Sequence, residues 1–333
     1  MADHREEITV RDAVAGDLEA IISLYCRKEY FPSPVRAHAE EEHRAYAVRM
    51  MRERGHFLGN DPDLRVFMAI SGGEPAGYLM VLLNLVETIT GERQALLYDY
   101  AFSDAGRGRD MMELLYGRAL EVIKERGVPY AIVEVAPADR KGLELFESMG
   151  FRMEMHRIIK KAERLVITVP DPDPFVVRKA VQGDLMFVIL LNQSCGSFTI
   201  PPGRDMPRGE IMVRYMKAYM ELKLDENDLF TAFIIEDRAA EKPIGYLMYK
   251  LNACDSMTGD RIGYIYDLAI DPAYWGKRAT QRIMREGERS LAERDITYLV
   301  GDISHDNQRA LKTAVKSLHF TEESVRWAAR VPM

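Results

Sequence analysis

The chain of 333 residues carries an internal repeat. Residues 75–80, PAGYLM, return 168 positions later as residues 243–248, PIGYLM, and at the same offset Asp99 returns as Asp267. Matches that keep one order at nearly one offset indicate a duplicated domain, because a solenoid would repeat at a much shorter period. The length is sufficient for two domains of ordinary size. The repeat therefore predicts that one fold is present twice.

The two predicted domains meet at a short segment rich in proline and acidic residues. Residues 168–174 read TVPDPDP, a composition that suits an exposed linker. This places the first domain at residues 1–167 and the second domain at residues 175–333. Each domain is then expected to fold around a core of its own.

Both repeats show the same succession of hydrophobic patterns. Each begins with a short strand and an amphipathic helix, whose predicted N-cap is Asp17 in the first repeat and Asp184 in the second. A variable polar segment follows (residues 32–54 and 206–222), then three strands joined by tight turns, a helix, a strand, a short helix and a terminal strand. The pattern predicts an α+β fold, in which each domain has a mixed, mostly antiparallel sheet flanked by helices.

Composition and charge narrow the classes of function. The net charge of −7 disfavours a nucleic-acid partner, and no apolar run approaches the roughly 20 residues that cross a bilayer. Three cysteines far apart in the sequence indicate reduced thiols, and the charged N-terminus lacks the core of a signal peptide. We therefore expect a cytoplasmic protein without a membrane partner. The seven histidines show no ligand spacing, so no metal site is predicted.

The segment that best suits a binding function lies in the second repeat. An apolar strand over residues 265–270 carries a single acid, Asp267, and leads through Asp271-Pro272 into a basic loop, residues 275–278. A helix is predicted to begin near Ala279. The first amides of a helix have no partner inside it, and the helix dipole favours an anion there. A strand, a basic glycine loop and a helix in this order are suited to holding phosphate.

With these residues, both repeats resemble the GNAT superfamily of acyl-CoA-dependent N-acyltransferases. The resemblance rests on Leu268-Ala269-Ile270-Asp271-Pro272 before the glycine loop, on the loop and helix themselves, and on a later segment from Asn307 to Phe320. It implies that the pantetheine of acetyl-CoA, or of another acyl-CoA, lies between the loop strand and the next strand, with the pyrophosphate on the loop amides. The implied cofactor-binding residues are Leu268, Ala269, Ile270, Gly276, Lys277, Arg278, Ala279, Thr280 and Asn307.

Both repeats depart from the family's loop, which usually has a glycine followed two residues later by a second glycine or an alanine. The first repeat reads RGRD over residues 107–110 and the second reads WGKR over residues 275–278. Glycine matters here because a missing Cβ frees φ and lets the backbone approach phosphates. Asp110 would repel a pyrophosphate, whereas Lys277 and Arg278 would attract it. The second repeat is therefore the predicted cofactor site.

A second departure concerns the proton donor. Many GNAT enzymes use a tyrosine in the late helix as the general acid for the leaving thiolate. The matching positions are Phe146 in the first repeat and Ala314 or Val315 in the second, and none of these side chains can donate a proton. If either repeat is active, another group or water must supply that proton.

The acids in the apolar strands have two interpretations. An acid in such a strand is costly unless it is paired or functional. Asp99 or Asp267 could act as a base that takes a proton from the attacking ammonium, through water. Either could instead be a structural acid that bonds backbone amides where the sheet splays. Asp267 is the candidate catalytic residue.

The sequence leaves functions of different classes open. The first is an N-acetyltransferase that moves an acetyl group from acetyl-CoA to a primary amine by direct attack in a ternary complex, with one domain degenerate. The amine would belong to a small molecule or a peptide. The alternative is a non-catalytic module that binds CoA or a protein, which the missing glycine and tyrosine in both repeats support. In a mixed arrangement, one repeat binds acyl-CoA and the other is a scaffold or lid.

Overall fold

The structure of the protein is a computed structural model. It describes residues 7–28, 40–55, 58, 60–87, 90–103, 107–162, 173–195, 201–204, 207–222, 224, 229–254 and 260–332. The chain forms two compact units. The first unit is Met1–Glu154 together with Ser324–Met333, and the second unit is Met155–Glu323.

Strands and helices follow the order that the sequence predicts, which is the same in each repeat. In the first repeat they are β1 (Ile8–Asp12), α1 (Leu18–Tyr25), α2 (Glu40–Arg54), β2 (Leu64–Ser71), β3 (Glu74–Val86), β4 (Arg93–Phe102), α3 (Gly108–Glu125), β5 (Tyr130–Val135), α4 (Arg140–Ser148) and β6 (Arg152–Lys161). In the second they are β7 (Phe175–Lys179), α5 (Leu185–Cys195), α6 (Arg208–Glu221), β8 (Phe230–Asp237), β9 (Lys242–Cys254), β10 (Arg261–Ile270), α7 (Ala279–Ala292), β11 (Tyr298–Ser304), α8 (Gln308–Ser317) and β12 (Thr321–Arg330).

Each unit contains six neighbouring strands. Their order is β1-β2-β3-β4-β5-β12 in the first unit and β7-β8-β9-β10-β11-β6 in the second. Within each unit the neighbours pair antiparallel, except that β4 pairs parallel with β5 and β10 pairs parallel with β11. A parallel pair needs a crossover connection, which α3 and α7 provide. The predicted α+β fold with mixed, mostly antiparallel sheets flanked by helices is confirmed.

The last strand of each unit comes from the other sequence repeat. β6 ends the first repeat but pairs with β11 in the second unit. β12 ends the second repeat but pairs with β5 in the first unit. The compact units therefore differ from the predicted domains, residues 1–167 and 175–333. Residues 163–172, which hold most of the predicted linker at 168–174, lie outside the described residues, so that boundary stays a prediction.

Apolar helix faces hold the central strands in place. Met111 and Leu115, four residues apart on one face of α3, are buried in the core of the first unit. In the second unit, Ile283 of α7 is buried in one core cluster. On α5, Val188 packs in another cluster together with Tyr246 of β9. Because helices cover β4 and β10 in this way, the side chains on these two strands pack against helix residues whose positions are set by the core.

The aspartates before α1 and α5 form the same ion pair in the two units, and for Asp17 the predicted cap of α1 is wrong. Asp17 directly precedes α1, but its side chain makes no capping hydrogen bond to that helix. Its carboxylate instead accepts two hydrogen bonds from Arg11, both at 2.7 Å, and one from the amide of Val14 at 2.8 Å. Asp184 accepts from Arg178 at 2.7 and 2.8 Å. In both units the aspartate thus ties the first strand to the turn before the helix.

Candidate active site

β10 and β11 separate halfway along their length. Their parallel ladder ends at Ile265 and Gly301, whereas β10 continues to pair with β9 to its last residue. A register irregularity after Ile265 leaves Tyr266 as an extra residue next to Asp267, which is a β-bulge. A bulge bends its strand, so β10 turns away from β11 at the position of the acid.

Asp267 lies at this bulge and accepts four hydrogen bonds. Its Oδ2 accepts from Asn192 Nδ2 at 2.9 Å, from Tyr246 OH at 2.6 Å and from Tyr219 OH. Its Oδ1 accepts from the amide of Leu268 at 2.7 Å. These four described donors are neutral, so dipoles rather than a cation surround the carboxylate. Three of the four donors meet at Oδ2 and only one at Oδ1, so Oδ1 has the greater remaining capacity to accept from another partner.

The two tyrosines beside Asp267 remain protonated at neutral pH. Burial raises the pKa of Tyr219 well above its ordinary value, and the charge of Asp267 raises it further. Burial and the same charge raise the pKa of Tyr246 in the same direction. A phenol that keeps its proton can only donate towards a carboxylate. Both tyrosines therefore hold the carboxylate in one orientation.

The loop after β10 has a backbone suited to an anion. Gly276 has φ +79° and Arg278, directly before α7, has φ +65° and ψ 12°. Arg278 stands two residues after Gly276, where the family has its second glycine, and adopts the left-handed conformation that a glycine would adopt. For a residue with a Cβ this costs of order 1–2 kcal/mol. The loop thus keeps a glycine-like backbone and gains a cation.

Cationic side chains surround this loop. Lys277 and Arg278 are exposed, and the Lys277 ammonium lies 4.7 Å from the ring centre of Tyr274. The guanidinium of Arg309, in the first turn of α8, lies 3.9 Å from the ring centre of Trp275. The first turn of α8 is therefore in contact with the loop, and the positive charge there comes from three side chains.

The other sequence-predicted residues lie in three places around the loop. Leu268, Ala269 and Ile270 form the part of β10 beyond the bulge, and Ala279 and Thr280 begin α7. Asn307 caps α8, and its Oδ1 accepts from the amide of Ala310 at 3.1 Å. The structure therefore places all nine implied cofactor-binding residues on β10, on the loop or at a helix start next to it, with Gly276, Lys277 and Arg278 in the loop itself.

The first unit holds its acid differently. β4 and β5 also separate, after Leu97 and Val133, but the carboxylate of Asp99 there forms an ion pair with the Lys28 ammonium. Tyr78 OH donates to the other oxygen of Asp99 at 2.5 Å. The ammonium also lies 5.5 Å from the ring centre of Tyr25. Asp99 is 9% exposed, so its charge is neutralised inside the protein.

The glycine loop of the first unit is also altered. α3 begins at Gly108, so the residues that match 276–278 of the second unit belong to the helix. Arg107 donates to Ser71 Oγ at 3.1 Å, and Arg109 donates to Glu113 at 2.9 Å. Both arginines of the predicted loop are therefore engaged within the first unit. Residues 104–106, which precede them, lie outside the described residues.

The late helices offer no phenol at the matching positions. Phe146 of α4 is fully buried and packs edge-on against Phe151. In α8, Ala314 is buried and Val315 is 40% exposed. None of these three side chains has a proton to give.

Sequence reasoning missed the side chains that surround Asp267. Tyr246 could have been found, because it recurs at the same offset as Tyr78 and both donate to the aspartate of their own unit. Asn192 and Tyr219 had no such signal, because they lie on α5 and α6, where the two repeats differ in sequence.

Neither a metal cluster nor a membrane helix is found among the described residues. Among the described residues, no group of three or more His, Cys, Asp or Glu side chains is arranged to hold a metal ion. In the same part of the chain, no helix combines the length and the apolar character that crossing a bilayer would require.

The two repeats are both recognised by one protein family. The Acetyltransferase (GNAT) family matches residues 19–151 and 201–320, which together make up more than half of the chain. The protein therefore belongs to the GNAT family, with a GNAT segment in each repeat. No curated protein sequence matches the chain.

Solved structures of low sequence identity share the fold. A GCN5-related N-acetyltransferase from Sphaerobacter thermophilus aligns with a TM-score of 0.55 at 15% identity, over 98% of this chain and 96% of that one. A GCN5-related glucosamine N-acetyltransferase region of a fungal multi-domain GH3 β-N-acetylglucosaminidase aligns with a TM-score of 0.52 at 14% identity, over 98% of this chain and 38% of that one. At such identities the likeness concerns the fold alone.

Proposed function

We propose that the protein is a cytoplasmic N-acetyltransferase whose second unit transfers an acetyl group from acetyl-CoA to a primary amine. The observation that carries this proposal is the position of Asp267. It lies at the bulge where β10 leaves β11, its described partners are neutral, and a basic loop with a glycine-like backbone follows the same strand. Family membership supplies the reaction class.

In this proposal Asp267 is the base. The substrate ammonium gives a proton to Asp267, directly at Oδ1 or through one water, and the freed amine attacks the thioester carbon in a ternary complex. The C–S bond then breaks, the acetyl group stays on nitrogen and the thiolate leaves. The attack leaves the nitrogen with a positive charge, and the nitrogen gives up its second proton as the amide forms. Of the two protons released, one on Asp267 and one from the nitrogen through water, one neutralises the thiolate, since Ala314 and Val315 cannot do so, and the other goes to solvent, so that Asp267 ends as a carboxylate.

The loop and the strand would bind the cosubstrate. The amides at the start of α7 and the charges of Lys277 and Arg278 suit the pyrophosphate. The backbone of residues 268–270, beyond the end of the β11 ladder, would take the pantetheine and polarise the thioester carbonyl. Asn307 and Arg309 begin the helix that contacts the loop, and they would border the same ligand.

The first unit is the degenerate one in this proposal. The ammonium of Lys28 already forms an ion pair with Asp99, and the residues that match the glycine loop belong to α3. An amine substrate would have to displace a paired lysine, and a pyrophosphate would meet Asp110 in the first turn of the helix. We therefore expect one acyl-CoA per chain.

Calorimetric titration with acetyl-CoA, combined with an assay for released CoA thiol, tests the proposal. We expect one binding site per chain, located in the second unit, and amine-dependent release of thiol. The competing function is a non-catalytic module that binds CoA or a protein. Binding of acetyl-CoA without thiol release across a broad panel of primary amines would favour that module and reject the enzyme.

A further inference from the structure

The backbone carbonyl of Ile270, at the end of β10, points towards the gap between β10 and β11. The amide of Asp271 donates to the backbone oxygen of Ile244 at 2.8 Å, so these two residues form a hydrogen-bonded antiparallel pair. Hydrogen-bonded and non-hydrogen-bonded pairs alternate in such a ladder, so the preceding pair, Ile270 with Gly245, directs its backbone groups away from each other. The carbonyl therefore faces the side where β11 no longer pairs.

The indole of Trp275 occupies this carbonyl. Its Nε1–H donates to the Ile270 oxygen at 2.8 Å. The thiol of Cys195 lies 3.8 Å from the same oxygen and is a second, weaker donor. A carbonyl oxygen has two acceptor positions, so each of them already has a donor. The amides of a pantetheine would therefore find this acceptor taken for as long as the indole stays in place.

Arg309 connects the same indole to the other side of the gap. It lies in the first turn of α8, the helix that follows β11, and its guanidinium is 3.9 Å from the ring centre of Trp275. No carboxylate among the described residues pairs with this guanidinium. Trp275 is 45% exposed and Arg309 is exposed. The indole thus bridges the open end of the gap, with β10 at its nitrogen and α8 at its face.

The first unit has different side chains at the matching positions. At the offset of 168 residues, Trp275 corresponds to Arg107 and Arg309 to Lys141. Two cations cannot form a cation–π pair, and Arg107 donates to Ser71 Oγ instead. The bridge therefore accompanies the loop to which the proposed function assigns the cosubstrate.

We propose that Trp275 and Arg309 form a latch over the cosubstrate site, and that the phosphates of acyl-CoA open it. The inference rests on the proposed function and adds a conformational step to cosubstrate binding. A phosphate offers the guanidinium charge-assisted, bidentate hydrogen bonds, which are stronger than a cation–π contact at an exposed position. Arg309 therefore leaves the indole when phosphates reach the loop. The indole then swings away, and an amide of the pantetheine replaces it at the Ile270 carbonyl.

Trp275→Phe tests the inner half of the latch. It removes the indole N–H and keeps an aromatic ring beside Arg309. Because the pantetheine no longer has to displace that hydrogen bond, we expect the Kd of acetyl-CoA to fall about 5-fold, the equivalent of about 1 kcal/mol for one neutral hydrogen bond. Calorimetric titration of the full chain measures this change.

Trp327→Phe is the matched control for the calorimetry. It makes the same substitution at the other tryptophan of the chain, which lies in the core of the first unit. The buried indole N–H of Trp327 has no hydrogen-bond partner among the described residues, so the substitution removes no hydrogen bond. The Kd of acetyl-CoA should therefore stay unchanged in this variant.

Tryptophan fluorescence tests the outer half. In the Trp327→Phe chain Trp275 is the remaining tryptophan, so the emission reports its surroundings. We expect CoA, and inorganic pyrophosphate at concentrations that displace acetyl-CoA, to shift the emission to longer wavelength, because the indole loses Arg309 and becomes more exposed to water. Adding Arg309→Met should shift the emission before any ligand is added and abolish the response to pyrophosphate.

The outcomes separate this inference from the proposed function. An unchanged or higher Kd in Trp275→Phe overturns the latch, because the indole then does not compete with the pantetheine. Emission that stays unshifted at saturating CoA, or that shifts with CoA but not with pyrophosphate, also overturns it. All of these results leave the enzyme in place, since acetyl-CoA still binds and thiol is still released. Absence of acetyl-CoA binding to the parent protein overturns both.

Discussion

A β-bulge precedes the aspartate in both units, with Tyr98 as the extra residue before Asp99 and Tyr266 before Asp267, but the electrostatic surroundings of the two carboxylates differ. In the first unit Asp99 is paired with the Lys28 ammonium, whereas the described donors to Asp267 in the second unit are two phenols, an amide side chain and a backbone amide. The bulge itself is therefore a property of the duplicated fold. What differs is whether the chain supplies its own cation, and under the proposed function that difference leaves the carboxylate of Asp267 available for a substrate ammonium.

The hydrogen-bond partners of the two aspartates are partly shared between the units and partly different. Tyr78 and Tyr246 recur at one offset and each donates to its aspartate, so they belong to the ancestral arrangement. Lys28 lies at the end of α1, and Asn192 and Tyr219 lie on α5 and α6, where the repeats have diverged. The partners that distinguish the two aspartates therefore lie on helices or at their ends, whereas the strands of the two units are alike.

The largest expected effect is on kcat, and it distinguishes Asp267 from Asp99. Asp267→Asn should lower kcat for amine acetylation about 100-fold to 10,000-fold, because a base acts in the transition state, with little change in acetyl-CoA affinity. Asp99→Asn is the matched control and should leave kcat of its folded fraction unchanged. Steady-state kinetics with calorimetric binding checks both. A thermally unstable Asp267→Asn whose folded fraction is fully active would show that Asp267 is structural too.

The next largest effect is on the free energy of unfolding, and it concerns the ion pair that Asp99 has and Asp267 lacks. Lys28→Met should destabilise the protein by about 3 kcal/mol, because it leaves a buried carboxylate without its cation, and Lys28 itself is only 22% exposed. Denaturant unfolding measures the loss. Adding Asp99→Asn to Lys28→Met should recover much of it, since the uncompensated charge is then gone. A double variant no more stable than Lys28→Met would mean that packing of the lysine, not its charge, matters.

The two loops offer a comparison of cosubstrate binding. Lys277→Ala combined with Arg278→Ala should weaken acetyl-CoA binding about 100-fold, since charge-assisted contacts contribute roughly 1.5–3 kcal/mol each. Arg107→Ala combined with Arg109→Ala should have little effect, because both side chains have partners in the first unit. Calorimetry on the two double variants decides this. If only the second pair weakens binding, the first unit holds the cosubstrate and the family assignment still stands.

Much of this fold could be predicted from the sequence, because each hydrophobic pattern and turn signal occurs twice, once in each repeat. The order of elements, the parallel pairs joined by α3 and α7, and the loop after Ile270 all follow from local periodicity and turn residues. The exchange of β6 and β12 could not be predicted. The two strands end equivalent repeats, so each presents a pattern that fits beside either β5 or β11, and pattern alone does not decide between them.

The partners of the acids were also beyond sequence reasoning. Lys28 is 71 residues from Asp99, and Tyr219 is 48 residues from Asp267, so no short motif links either pair. The start of α3 at Gly108 was missed for a different reason. The glycine resembled a loop residue, yet in the helix it lies against the ring of Phe102, where an added Cβ would come within 3.2 Å. Only the tertiary contact reveals why glycine is there.

The smallest expected effect concerns a feature that the units share. Hydrogen bonds from Arg178 hold the pKa of Asp184 below its usual range, and those from Arg11 do the same for the pKa of Asp17. A carboxyl with a lowered pKa in the folded state stabilises the fold above its unfolded value, near 4, and this contribution is lost as the pH falls further. We therefore expect the free energy of unfolding to decline below about pH 4.

Asp184→Asn and Asp17→Asn measure this contribution in each unit. Each should lower the free energy of unfolding at pH 7 by about 1 kcal/mol, a value kept small because both arginines are more than one third exposed. Each variant should also show a shallower decline in acid than the parent protein, because one titrating carboxyl is gone. Denaturant titrations between pH 7 and pH 3 provide the comparison. Equal losses would mean that the ion pair stabilises both units in the same way. A loss in one variant alone would mean that the two units also differ in how their first strands are held.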